Sequence, residues 1–327
     1  MMRPGRSVTK ISIIFSVFVG ILGCGCDIFG LERERQMIDS LKDAQRRQGW
    51  YIVVKEREIA YLDLETASLK SLYPDSLNVA RSSFLGMASL DPRENKLAFV
   101  ESLDLSSYSL IAFNLTERKR EVLFQLPYLQ GPRWSPVENR IALEERTTET
   151  DNRTSLYLYR LDNKDSFLLV NGGIKSGEFL FCWSPDGKRI VYQSDDDKIQ
   201  IIDIASKQRR TLDAGWFPTW SPNGRFISYK SKENEYALYD LETNQKTAIL
   251  RGDDVNRSLV WSPDSQYVVY SRLSGGLLNR ATDALSVSDT YSDLYAMNVQ
   301  SKATVMIYRH NGSIYPTDWG RLNSIPQ

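Results

Sequence analysis

Histidine is nearly absent from this sequence: there is one, His310. A histidine-based catalytic triad, a multi-histidine zinc site and a histidine proton relay are therefore excluded or left without most of their parts. His310 stands in YRHNGS, just before a turn signal, and reads as an exposed loop residue. Cysteine is scarce too. Cys24, Cys26 and Cys182 cannot make the disulfide framework of a small secreted domain. Cys182 lies in the apolar FLFCWSP and reads as a buried structural thiol. No charge of one sign prevails, because 41 basic residues balance 41 acidic ones. No basic stripe points to nucleic acid. No G-x-S-x-G nucleophile elbow is present, so that hydrolase chemistry has no anchor in the sequence.

Long hydrophobic runs are also missing. The longest apolar stretch, ISIIFSVFVGIL, has twelve residues, whereas a membrane-spanning helix needs about 20. It follows Arg3, Arg6 and Lys10 and ends in small residues, which is the layout of an export signal. Ile21-Leu22-Gly23-Cys24 resembles the lipobox of bacterial lipoproteins, in which the signal is cut before the cysteine and the thiol carries a diacylglycerol. Leu22 departs from the small residue usual there, and Cys26 is a weaker alternative. A plain signal peptide or an uncleaved anchor is the other reading. The expected organisation is a signal peptide over 1–23, a lipidated tether over 24–49 and a body over 50–327. LERERQMIDSLKDAQRRQG, from Leu31, is charged and free of proline, and reads as a short solvated helix or tether.

What the chain has in quantity is one repeated phrase. WSPVENRIAL starts at Trp134, WSPDGKRIVY at Trp183, WSPNGRFISY at Trp220 and WSPDSQYVVY at Trp261. LDPRENKLAF, from Leu90, is a degenerate copy, and Trp319-Gly320 a truncated one. The tryptophan ends a first strand. Proline then presets φ for a type I turn, Asp or Asn tolerates the next position, and a second strand begins at once. The seventh and ninth residues after the tryptophan position are apolar in all five full copies, from Leu97 and Phe99 to Val268 and Tyr270. A spacing of two puts both on one strand face. A third strand follows, as in SLYLYRL, KIQIIDI, EYALYDL and DLYAMNV. It closes in an aspartate turn, as at Asp63-Leu64-Glu65-Thr66 and Asp240-Leu241-Glu242-Thr243, and a short fourth strand ends the unit.

Four antiparallel strands in roughly 40–45 residues match a propeller blade. The segment from Trp50 supplies strands two to four with no first strand. SIYPTDWG near the C-terminus supplies a first strand with nothing after it. The expected fold is all-β: six four-stranded antiparallel blades, with the ring closed by the C-terminal strand joining the first blade. WSPDGKRIVY resembles the repeat of TolB-type, WD-like propellers, found also in the propeller domains that accompany prolyl oligopeptidases. The resemblance covers residues 50–319. It implies a fold rather than a reaction, and suggests binding of another envelope protein at the ring face or axial channel. TolB proper has a separate α/β domain before its propeller, for which residues 31–49 are too few.

Asp195-Asp196-Asp197 reads as a solvated turn, since no calcium-loop spacing surrounds it. Asp253-Asp254 is similar. Gly172-Gly173 and Gly275-Gly276 are isolated pairs, not phosphate loops. No metal or other cofactor is expected. The sequons at Asn114, Asn152, Asn256 and Asn311 read as chance in a bacterial lipoprotein. Leu273–Ser292 is an insertion between the second and third strands of the last full blade. It reads either as an amphipathic lid carrying Leu277, Leu278 and Arg280, or as a decorative loop. Tyr128, Phe179, Trp216, Arg257 and Tyr315 belong to or border the blade-joining loops, and are candidate partner contacts or blade-to-blade seals. The leading function is a noncatalytic, lipid-tethered interaction module of the cell envelope, facing away from the cytoplasm. An enzyme or a glycan or peptide sensor at the channel mouth is the alternative, and a structural part of an envelope assembly a third.

Overall fold

The computed structural model describes residues 27–55, 58–73, 84–93, 95–102, 104, 106–146, 154–177, 180–251, 255, 259–274, 291–312 and 314–322. One helix, α1 (Asp27–Gln48), precedes the strands β1 (Trp50–Lys55), β2 (Ile59–Asp63) and β3 (Ser68–Tyr73). Next come β4 (Phe84–Leu85), β5 (Ser89–Leu90), β6 (Lys96–Ser102), β7 (Tyr108–Asn114) and β8 (Lys119–Leu126). Then follow β9 (Leu129–Trp134), β10 (Arg140–Arg146), β11 (Thr154–Arg160) and β12 (Ser166–Ile174). A longer series runs through β13 (Phe181–Trp183), β14 (Arg189–Gln193), β15 (Lys198–Asp203), β16 (Arg209–Trp220), β17 (Phe226–Ser231), β18 (Glu235–Asp240) and β19 (Gln245–Arg251). The last are β20 (Val260–Trp261), β21 (Tyr267–Ser274), β22 (Tyr291–Asn298), β23 (Thr304–Asn311) and β24 (Tyr315–Arg321).

Among the described residues every strand pairing is antiparallel, and three sheets have four strands: β24-β1-β2-β3, β9 to β12 and β20 to β23. The architecture is that of an all-β propeller built from four-stranded antiparallel units. Two sheets depart from four strands. In one, the innermost strand is split into β4 and β5, which both pair with β6, because the chain leaves the ladder at Gly86-Met87-Ala88. In the other, β16 runs through two ladders. Arg209–Ala214 pairs with β15 and Gly215–Trp220 with β17, giving seven strands in one sheet. A register shift between Trp216 and Thr219, with Phe217 at φ 57°, turns the strand between them.

The repeat explains itself locally. Strands β9, β13, β16 and β20 all end on the tryptophan. The serine that follows is fully enclosed, and its side chain holds the turn. Ser184 Oγ accepts from Arg189 N at 2.9 Å, Ser221 Oγ from Phe226 N at 2.8 Å and Ser262 Oγ from Tyr267 N at 2.9 Å. Asp91 takes this place in the degenerate copy and accepts from Arg93 N at 3.0 Å. The paired apolar positions are core: Leu97, Phe99, Ile141, Leu143, Ile190, Tyr192, Ile227, Tyr229, Val268 and Tyr270 are all buried. The aspartate turns form as expected, with Asp63 and Asp240 each accepting two backbone N–H groups. Asn114 does the same, and Asn298 accepts from both the N–H and the hydroxyl of Ser301, in copies whose sequence hides the pattern.

Two elements differ from expectation. α1 is not a solvated tether along its length. Met37, Leu41 and Gln45, four residues apart, form a buried stripe against the sheet of β1 and the side of β23. The Gln45 amide donates to Leu62 O and accepts from Leu64 N, both at 2.8 Å. Gly49 then ends the helix at φ 66°, its N–H returning to Gln45 O. His310 is not a loop residue either. β23 runs to Asn311, and His310 is half-buried there, stacked at 6.3 Å from Tyr308.

Candidate functional site

Six short strand ends meet around one cavity of about 410 Å³. They are the ends of β5, β9, β13, β16, β20 and β24, each contributing the tryptophan position or its equivalent. Six of the seven tryptophans line it, Trp216 being the exception. The prolines of the Trp-Ser-Pro turns form its rim. Burial of the tryptophans is thus two-sided: one face seals sheet against sheet and the other bounds the cavity.

Three residues before Leu90 and Trp220, and four before Trp319, lie Met87, Phe217 and Tyr315. They come from three different sheets and pack on one another.

Two of the charged groups lining the cavity, Asp318 and Arg133, are tied to backbone. Asp318 accepts from Leu90 N and Trp319 N, both at 2.8 Å. Desolvation pushes its carboxyl above the usual carboxylate range, against the opposing pull of Arg133. Arg133 donates to Thr317 O at 3.1 Å. Cys182, expected to be buried, is half-buried on the cavity wall against the core around Val191 and Trp220, and desolvation raises its pKa.

A second polar group lies where β9 begins. Tyr128 is half-buried, with Arg146 stacked 4.3 Å from its ring centre and Tyr108 edge-on at 5.6 Å. Its hydroxyl bonds to Ser176 Oγ at 2.7 Å, and burial raises its pKa. Nearby, Glu144 is fully enclosed and accepts from Gly177 N at 3.3 Å.

Trp216 is half-buried in β16, and Tyr315 is 8% exposed behind Met87 and Phe217. Tyr315 therefore seals the inner strands and presents little surface. Cys24, Phe179, Arg257, Leu277, Leu278 and Arg280 lie outside the described residues. Of the insertion, Leu273, Ser274, Tyr291 and Ser292 belong to the ladder of β21 and β22, so the hairpin is longer and the insertion shorter than expected. Asp196 pairs with Lys198 and Asp197 with Lys175 at the turn between β14 and β15. The cavity residues Arg133, Asp318 and Cys182 were not singled out from sequence as a set, although each adjoins a tryptophan position of the repeat.

Residues 74–322 match the model of the TolB beta propeller domain. The chain belongs to the TolB beta propeller family. No curated protein matches it in sequence. Among solved structures, TolB from Acinetobacter baumannii superposes with a TM-score of 0.62 at 17% identity, covering 83% of this chain and 66% of that one. This chain thus spans just under two thirds of that TolB. A nidogen/laminin complex gives 0.59 at 10% identity over 84% and 100%. An oligogalacturonate lyase in complex with manganese gives 0.50 at 14% identity over 66% and 68%. At such identities the likeness to these structures is one of fold alone, and a TolB beta propeller hosts its function in site residues rather than in the scaffold. Among the described residues no helix is long and apolar enough to cross a membrane.

Proposed function

We propose that this chain is a noncatalytic protein-interaction module of the bacterial cell envelope, a six-bladed ring tethered through a lipid on Cys24. Its parts are a signal over 1–23, a tether over 24–49 and the propeller over 50–327. The count of six takes the seven-stranded sheet as two blades sharing β16, and the pairing of β24 with β1 as the closure. The partner is another envelope protein, held at the face where the blade-joining loops emerge.

The observation that carries this reading is the arrangement around Tyr128. A large amphipathic ring is fixed between Arg146 and Tyr108 and oriented by Ser176 before any partner arrives. Rigid aromatic and arginine groups supply binding energy at little cost in ordering. Trp216, together with Phe179, Arg257, Leu277, Leu278 and Arg280, is assigned to the same contact surface from its position in the sequence, in the blade-joining segments and the insertion. Family membership and the lipobox-like junction at Cys24 support the location.

The test is affinity recovery of partners from membranes with the acylated full chain. Tyr128→Ala and Trp216→Ala are expected to lower recovery at unchanged melting temperature. Full recovery with both variants rejects this face as the docking surface.

A further inference from the structure

We infer that the groove between the sheet of β10 to β12 and the turn after β15 is a binding site for a small carboxylate carried on a flat apolar body. Arg160 takes the carboxylate, and Phe167 with its apolar neighbours takes the body. The inference is independent of the proposed protein partner. Arg140 and Arg146 stand at opposite ends of β10, and Tyr128 lies at the Arg146 end.

The register of the sheet brings the parts together. Arg140 lies directly opposite Arg160 in the ladder of β10 and β11. Leu158, two residues before Arg160, lies opposite Phe167 of β12. Steps of two keep side chains on one face, so Arg140, Arg160, Leu158 and Phe167 share a face of the sheet. Ile204, from the turn after β15, stands across from them. With Asp165 and Ser166 these residues line a groove of about 410 Å³, a size that suits a small ligand.

The apolar side of the groove is open to a ligand. Phe167 is 41% exposed, and Lys207 Nζ stands 4.5 Å from its ring centre. Leu158 and Ile204 continue that wall. A flat ring gains more from such a wall than a small hydrated anion does.

The charged side is left with one base that no acid answers. Cross-strand neighbours of like charge repel each other. Arg140 is half-buried, and burial first, then the charge of Arg160, make it release its proton more readily than an exposed arginine. Glu138 engages Arg140. Asp162 accepts from Asn139, and Asp165 from Asn163. Arg160 is exposed and, among the described residues, pairs with no acid. A guanidinium binds a carboxylate through two parallel N–H groups. A carboxylate on Arg160 also offsets its repulsion of Arg140.

The probe is benzoate, titrated against the purified full chain by saturation-transfer NMR, with benzamide and acetate as controls. One saturable benzoate site is expected, with benzamide, which lacks the charge, and acetate, which lacks the ring, each weaker by about tenfold or more. Arg160→Gln is expected to weaken benzoate by about 10- to 100-fold, and Phe167→Ala by about 2- to 10-fold. Arg47→Gln, which removes an exposed arginine on α1, is expected to leave affinity unchanged. Melting curves establish that each variant is folded; if Arg160→Gln is not, Arg160→Lys, which keeps the charge without the paired donors, takes its place and is also expected to weaken binding. Absence of a saturable benzoate signal overturns the proposal. So does benzamide binding as tightly as benzoate, or a loss in the Arg160 variant no larger than that in Arg47→Gln. Unchanged affinity in Phe167→Ala overturns it too, because the ring then has no wall to meet.

Discussion

Ile52 lies opposite Trp319 in the pairing of β1 with β24, so the first strand after the helix is held by the last strand of the chain. Val53 O accepts from Thr317 Oγ1 in the same ladder, and Leu322 N donates to Gly49 O just beyond it. The sheet that receives α1 is therefore completed only when the C-terminus arrives.

Removing Tyr315–Gln327 is expected to destabilise the whole propeller rather than its end. The deletion strips β1 of its ladder partner and uncovers the core shared by Ile52, Val54, Val269 and Leu294. Loss of the buried Trp319 alone costs about 3–5 kcal/mol. Thermal melts of the truncated and full-length chains decide it. An unchanged melting temperature rejects this coupling.

The parts legible from sequence are those with a short period. Trp-Ser-Pro and the two apolar residues after it mark strand, turn and strand within ten positions, and their local pairings follow. Pairings over long distances were legible only where a fragment was visibly incomplete, as at Trp50 and Trp319. The docking of α1 was not legible, because one of its three buried contacts is a glutamine in a charged run. Gln45 is recognisable only when Leu62 O and Leu64 N are seen beside it. The continuity of β16 was hidden because Asp213-Ala214-Gly215 looks like a loop, yet lies extended. The cavity was least legible of all. Its lining comes from six strand ends spread along the chain, and nothing in any one copy of the repeat shows that the six meet around a cavity.

Gln45 should hold the helix to the body. Gln45→Ala leaves Leu62 O and Leu64 N without their side-chain partner at a buried turn, a loss of about 1–3 kcal/mol. Limited proteolysis is expected to cut near residues 37–45 faster in the variant, before the strands are attacked. Equal cutting rates show that Met37 and Leu41 suffice to dock the helix.

Ser221 is expected to matter beyond its size. Its hydroxyl is fully enclosed, accepts from Phe226 N at 2.8 Å and donates to Asn223 Oδ1 at 2.7 Å. Ser221→Ala removes both and leaves a backbone N–H unpaired at the start of β17, costing about 1–3 kcal/mol. Urea unfolding measures this. A loss below about 0.5 kcal/mol means that the proline and Gly224 set the turn without the serine.

Asp318 should make stability fall as pH rises. Its carboxyl is raised by desolvation in the fold, so the folded chain holds the proton more tightly than the unfolded one. The full stability it allows is present below the unfolded aspartate value, about 4, and declines as pH rises through the raised folded value. Asp318→Asn removes the titration but keeps an oxygen for one of the two backbone donors, Leu90 N or Trp319 N. The loss of the second acceptor is the same at every pH, so it offsets the curve without tilting it. The variant is therefore expected to gain on the parent between pH 4 and pH 7, whichever is more stable at pH 4. Melting temperatures of both proteins across that window test it. Parallel curves would mean that the carboxyl is not raised. A parent that gains on the variant toward pH 7 would mean that Arg133 outweighs desolvation and holds Asp318 ionised within the cavity.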